Sequence, residues 1–225
     1  MSLTIAIDGP SGAGKSTVAR AVASGLGYRY VDTGAMYRAV AWRLLRDGVD
    51  AADPAAAEAA AKAMQLEFVP DAEGQRVFVD GTDVTTAIRS TEVTQLSSPV
   101  SAVPGVRAVL TQLQREMGAG GGVVMEGRDI GTVVCPSAEV KIFLTASDLE
   151  RAARRFRERT SRGDAVTLEE ILAQQRERDA RDSSRDTAPL RPAEDAVELV
   201  SDGMTVDEVV SAVLQLVSAK LGSRK

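Results

Sequence analysis

An α/β fold, with a central parallel sheet and helices on both faces, is predicted from three observations. Short apolar runs alternate with longer helical stretches along the chain. Two of those runs, VVMEG and VKIFL, have the apolar content of central strands, and the first run of all opens into a glycine-rich turn followed by a helix. The 225 residues suffice for one such core with a modest insertion and are short for two independent domains, so a single domain over 1–225 is expected.

In chain order, TIAID is a strand, and residues 16–26 are a helix stopped by Gly27. AMYRAVAWRLLRDG is a second helix with Val40, Leu44 and Leu45 as apolar positions, ending at Gly48, and the alanine-rich segment 51–63 is expected to continue helically. QLEFVP and RVFVD alternate around a turn at Asp71–Gly74 and form a hairpin, within an insertion placed at about 62–95. Residues 106–117 are helical, and the glycines at 118–122 lead into the two central strands. Ser147 with Glu150, Thr167 with Glu170, and Thr205 with Glu208 have the spacing of capping boxes, so each starts a helix. The first two of these helices, joined by the polar turn Ser161–Gly163, make an arginine-rich hairpin over 147–182, and AVELV is the last strand.

Composition removes several chemistries. With no histidine there is no Ser-His-Asp or Cys-His catalysis and no imidazole metal site. With no asparagine, the second-metal ligand of a protein-kinase loop and the guanine-reading NKxD pattern are both missing. The lone Cys135 cannot form an internal disulfide, and no secretory leader precedes TIAID, so a cytoplasmic location is expected. No apolar stretch approaches bilayer length, which argues against a membrane role. A net charge of −5 argues against bulk nucleic-acid binding, yet 11 of 22 arginines fall within 150–191 beside 9 acidic residues, a local +2 that suits a small polyanion.

The most specific chemical signal is GPSGAGKS at 9–16, which matches GxxxxGK[ST] between a strand and a helix. Its backbone N–H groups converge on phosphate oxygens at the positive end of the following helix. Gly9, Ser11, Gly12, Ala13, Gly14, Lys15, Ser16 and Thr17 are therefore the expected triphosphate site. Lys15, read as an exposed charge at the helix start, reaches the β- and γ-phosphates, and the Ser16 hydroxyl is the Mg²⁺ ligand.

Three further features bear on the acceptor. In DTGAMYR (32–38) Thr33 can cap a helix that carries Arg38, and EGRDIGT (126–132) puts Arg128 and Asp129 in a loop at the carboxyl end of a central strand, where open α/β sheets bind ligands. In ERDARDSSRD (177–186) Arg178, Arg181, Asp182 and Arg185 fall on one helical face, where clustered guanidinium forks match phosphate oxygens. Taken alone, these are also the patterns of a helix start with a surface arginine, a turn with a local ion pair, and a solvated charged face.

The chain resembles bacterial-type cytidylate kinases, nucleoside-monophosphate kinases of the P-loop NTPase fold. GPSGAGKS, DTGAMYR, DVTTAIRS (83–90), VR (106–107), EGRDIGTVV and ERDARDSSR occur in the family's order and spacing over nearly the whole chain. The resemblance implies transfer of phosphoryl from ATP, with Mg²⁺, to CMP and dCMP. It implies that Arg38, Arg128 and Arg185 hold the acceptor phosphate, that Ser98, Arg107 and Asp129 read cytosine, and that Arg178 and Asp182 address the ribose. Arg154 and Arg155 resemble lid arginines that close over the transferring group, in a helical-hairpin lid over about 147–165, and the 62–95 insertion would bind the monophosphate. Pro99 and Pro104, flanking Ser98 in SSPVSAVPG, bear on how Ser98 is presented. A monomer is expected. A small-metabolite kinase of the shikimate type shares the fold and glycine runs, although Gly120–Gly122 here precede a strand rather than follow one. A non-enzymatic nucleotide switch is the other alternative.

Overall fold

A computed structural model describes residues 2–71 and 74–222. Five strands form one parallel sheet: β1 (Thr4–Asp8), β2 (Arg29–Asp32), β6 (Val123–Gly127), β7 (Val140–Thr145) and β8 (Val197–Val200), in the spatial order β2-β6-β1-β7-β8. Strand β1 is central, and its side chains alternate. Ile5 and Ile7 pack with Val18, Val22, Val213 and Val217 from helices α1 (Lys15–Leu26) and α8 (Val206–Gly222), whereas Ala6 faces a second cluster containing Val31, Met125 and Ile130. All five strands run the same way because each crossover passes over a face of the sheet.

Between β2 and β6 lie helices α2 (Thr33–Arg46), α3 (Pro54–Ala63), α4 (Thr91–Ala102) and α5 (Pro104–Gly118), and a small antiparallel sheet, β3 (Leu66–Asp71), β4 (Gly74–Val79) and β5 (Thr82–Asp83). Val77 and Val79 bury its inner face in a cluster with Val40, Leu44, Ile88, Val93 and Leu110. The expected hairpin is β3–β4; residues 72 and 73 of its turn lie outside the described residues. The short strand β5 adds a third member that the alternation pattern did not announce.

The alanine-rich segment is helical as expected, over Pro54–Ala63: a turn follows Gly48, and α3 starts with the Asp53 carboxylate accepting from the amides of Ala55 and Ala56 and Pro54 at the first turn, where a missing N–H is harmless. One local expectation needs correction: Thr33 does not cap α2. The cap is Asp32, whose carboxylate accepts from Ala35 N–H at 2.9 Å.

The hairpin is α6 (Asp148–Ser161) and α7 (Leu168–Ser184). Thr167/Glu170 and Thr205/Glu208 close as reciprocal capping boxes. Ser147 accepts from Glu150 N–H, but the Glu150 carboxylate turns instead to Arg154, and Asp202 receives the Ser147 N–H. Pro104 begins α5, and Pro99 sits within α4, which still reaches Ala102.

Candidate active site

The loop after β1, the start of α2 after β2 and the EGRDIGT turn after β6 leave the sheet at its carboxyl end, and with residues of α5 and of the 177–186 segment they border one cavity of about 730 Å³. The loop after β1 needs its glycines. A Cβ at Gly9 (φ +149°) would lie 1.9 Å from Leu144 O, and one at Gly12 (φ +77°) 2.6 Å from Gln175 Nε2. Lys15 does not stand in solvent as the sequence reading had it. It is 6% exposed and donates to Pro10 O at 2.7 Å, and burial, then the charge of Arg128, pushes its amine down to about 7. The loop therefore holds a cation that the fold disfavours without an anion beside it.

The parallel register sets Asp32 of β2 opposite Glu126 of β6. Both are buried. Glu126 accepts from the Tyr30 hydroxyl and has the Ser16 hydroxyl as a further partner; burial, then the Asp32 charge, raises its carboxyl above the usual range. Burial alone would raise Asp32 too, but Arg38, at 2.7 Å, and the Ala35 amide hold it below. Neither carboxylate was among the expected site residues, although both stand inside quoted motifs. Arg89, from the 3₁₀ turn Ala87–Arg89, also borders the cavity and was missed.

Four guanidinium groups converge on the same cavity. Arg38 extends from α2, Arg128 contacts Asp182 at 3.2 Å and Gly127 O at 3.2 Å, and Arg185 donates to Asp182 O at 3.2 Å and Ser101 Oγ at 3.4 Å. Burial, then Arg128, lowers Arg178 to about 10. Buried nitrogens of three of them, Arg38 Nε, Arg178 Nε and Arg185 Nη2, have no partner among the described residues. Unpaired buried donors are costly, so such a set stores binding free energy for an anion. Arg181 is not part of it: it is half-exposed, sits 3.6 Å from Glu177, and does not line the cavity. Arg185 lies just past the end of α7, so its place comes from the chain's turn there and not from helical spacing.

Arg107 and Asp129 form an ion pair with both partners buried, and Arg107 also donates to Ser101 O at 3.2 Å and lies 5.5 Å from the centre of the Tyr37 ring. Ser98 is buried with its hydroxyl unpartnered among the described residues, and it is its neighbour Ser97 that lines the cavity. Thr33 donates to Glu126 O at 2.7 Å, tying the start of α2 to β6. Asp8, also missed, accepts from the amides of Ile130 and Gly131 at 2.9 and 2.8 Å, which fixes the turn that carries Arg128 and Asp129; burial raises its carboxyl to about 6.

The two hairpin arginines differ. Arg154 is held by Glu150 at 2.9 Å, by Ser201 Oγ and O at 3.0 and 2.8 Å, beside the β8–α8 connection, and by Ala13 O of the loop at 3.4 Å, whereas Arg155 pairs, among the described residues, with Glu158 of its own helix at 2.7 Å. Ser201, Met204, Thr205 and Val206, from the β8–α8 connection and the start of α8, also line the cavity. The arrangement can hold two phosphate-bearing molecules end to end, one on the loop and one on the arginines.

The profile of the cytidylate kinase family matches residues 5–219. A cytidylate kinase of Lactiplantibacillus plantarum is 48% identical over 222 residues, covering 99% of this chain and 97% of that protein. One from Pelotomaculum thermopropionicum is 53% identical over 216 residues, covering 96% of each. A bifunctional pantoate ligase/cytidylate kinase of Prochlorococcus marinus (strain MIT 9313) is 54% identical over 214 residues, covering 94% of this chain, which spans only 42% of that longer protein's length. An uncharacterized protein from Eubacterium ventriosum shares the fold, with a TM-score of 0.53 at 12% identity, over 97% of this chain and 99% of that one. With a matching profile over nearly the whole chain and relatives that align end to end at about half identity, the chain belongs to the cytidylate kinase family.

Proposed function

We infer that the chain transfers the γ-phosphoryl group of ATP to the phosphate of CMP, and of dCMP, releasing ADP and the diphosphate. The observation that supports this most is the pairing, in one cavity, of a phosphate loop with a half-buried arginine cluster that carries N–H donors unpartnered among the described residues. A CMP phosphate oxygen attacks the γ-phosphorus, that P–O bond forms as the bridging P–O bond breaks, and the electron pair leaves on the ADP β-phosphate. A phosphomonoester has its second pKa near 6, so at pH 7 the acceptor is mostly a dianion and no general base is required. Alignment and charge stabilisation then carry the rate, through Lys15, the loop amides and the arginines Arg38, Arg128 and Arg185.

The residues present fit Mg²⁺. Ser16 supplies a hydroxyl next to Glu126, whose carboxylate and that of Asp32 repel each other in a buried site, and oxygen donors of this kind suit a hard cation. When bound, Mg²⁺ withdraws charge from the β- and γ-phosphate oxygens. Ser16, Glu126 and Asp32 are the residues we assign to its vicinity.

Within a single kinase domain we assign residues 62–95 to acceptor binding and 147–165 to a lid, with Ser98, Arg107 and Asp129 at the cytosine and Arg178 and Asp182 at the ribose. The chain is proposed to act as a cytoplasmic monomer; no described helix is long and apolar enough to cross a membrane. Geometry separates the two lid arginines. Arg155, tied among the described residues to its own helix, is the one free to turn onto the transferring phosphoryl group, and Arg155→Ala should lower kcat at least tenfold with little change in the KM for CMP. Arg154, fixed beside Ser201, borders the donor end, so Arg154→Ala should act mainly on the KM for ATP. Steady-state kinetics with each substrate varied checks both; an unchanged kcat for Arg155→Ala sinks the first.

The test of the function is ADP formation from ATP against nucleoside monophosphates and hydroxylated metabolites including shikimate, with and without Mg²⁺ chelation. CMP and dCMP should be the best acceptors, and chelation should stop turnover. Turnover of a hydroxylated metabolite with none of CMP would refute the proposal.

A further inference from the structure

Arg151 is 4% exposed and belongs to neither the phosphate loop nor the arginine cluster, yet it joins four segments. Its Nε donates to Ala146 O at 3.1 Å, its Nη2 to Asp148 at 2.6 Å, and its Nη1 to both Ser11 O at 2.7 Å and Asp179 Oδ2 at 2.5 Å. The other oxygen of Asp179 accepts from Ser11 N–H at 3.2 Å. Ser11 is thus gripped at its N–H and its C=O by the two members of one ion pair, one from each helix of the hairpin. Both peptide planes flanking Ser11 are fixed. The Arg151 carbonyl in turn accepts from Gln175 Nε2 at 3.3 Å, and that amide and the Arg151 carbonyl pack closely over Gly12, 2.6 and 3.1 Å from where a Cβ would sit.

We propose that Arg151 and Asp179 are positioning residues for ATP: the pair sets the backbone of the phosphate loop before the nucleotide arrives. The inference rests on the reading of residues 9–16 as the ATP-phosphate loop. A loop whose amides must converge on phosphate oxygens gains affinity when its peptide planes are already ordered, because the ordering entropy is not charged to binding. The same contacts, with the bond from Arg154 Nη1 to Ala13 O at 3.4 Å, root the hairpin on the loop, which confines any lid closure to the part beyond Arg154, where Arg155 and the turn at 162–163 lie. The pair hydrogen-bonds Ser11 and none of the cluster arginines, although the Asp179 charge also favours the Arg178 cation, so its loss should weaken the donor side more than the acceptor side.

Asp179→Asn keeps an acceptor for Ser11 N–H and removes the charge that holds Arg151; Asp179→Ala removes both, and Arg151→Met removes the other half. The KM for ATP should rise about tenfold in Asp179→Ala and less in Asp179→Asn, while the KM for CMP changes less than twofold. Arg151→Met and the double variant Arg151→Met/Asp179→Ala should show no additive loss, since the two act as a unit. Should Arg151→Met fail to fold, the two Asp179 variants carry the test, because Asp179 is partly exposed. An unchanged KM for ATP in Asp179→Ala, or equal increases for ATP and CMP, would overturn the inference. Absence of ATP-dependent turnover in the unmodified protein would instead overturn the kinase reading on which it rests.

Discussion

Lys15→Met is expected to lower CDP formation by about 10³-fold or more, the scale on which single charge-stabilising donors at phosphoryl and acyl transition states act. The same substitution should make the ligand-free protein more stable. The two effects have one cause: the amine is buried, and burial followed by Arg128 pushes it down to about 7 from the ordinary 10.5. Because the folded value lies below the unfolded one, the fold disfavours the charged form. That cost is fully present below about pH 7 and fades as pH rises toward 10.5. Methionine keeps most of the apolar stem and carries no charge to desolvate. Urea denaturation at pH 6 and pH 9 should therefore show a larger gain at pH 6, while steady-state assays show the lost turnover. A variant that retains rates within tenfold of the unmodified protein, or that is less stable at pH 6, refutes this account of Lys15.

Discrimination between CMP and UMP is the second large effect, expected at about 10- to 100-fold in kcat/KM. Cytosine presents an exocyclic amino donor where uracil presents a carbonyl, so the Asp129 carboxylate can accept from one and faces the other unpaired. Each such mismatch costs about 1–3 kcal/mol. Arg107 can only donate, which suits the cytosine ring nitrogen or carbonyl. Because Arg107 and Asp129 are buried and paired with each other, Arg107→Met has a further consequence: it leaves the carboxylate without its counter-charge. We expect a loss of about 3–5 kcal/mol in stability together with loss of the CMP preference. Arg107→Met/Asp129→Leu should recover part of the stability and none of the preference, since removing both charges of a buried pair is far cheaper than removing one. Binding of a non-hydrolysable ATP analogue should persist in both. Equal kcat/KM for CMP and UMP in the unmodified protein would end the base-reading role.

What could be read along the chain was what a few neighbouring residues encode. Gly27 after a periodic run, Thr167 three before Glu170, and the glycines of GPSGAGKS each act through their own φ, a cap or a local amide, and the structure realises all of them. The start of α3 is equally local, written in Asp53-Pro54, where a capping carboxylate precedes a proline at the first helical position. Helical spacing placed Arg178 and Asp182 together but misplaced Arg181 and took Arg185 for a helical residue, because periodicity cannot tell where a helix ends or which side of it meets a cavity.

The burial of Lys15, the Asp32–Glu126 juxtaposition, the Arg107–Asp129 pair and the Arg151–Asp179 grip on Ser11 depend on tertiary structure alone. Each joins residues far apart in sequence, through the insertion of β6 between β2 and β1 or the docking of α7 against the loop after β1. Desolvation and the energy of an ion pair are set by distance and surrounding dielectric, and those exist only once the sheet order has brought the charges together.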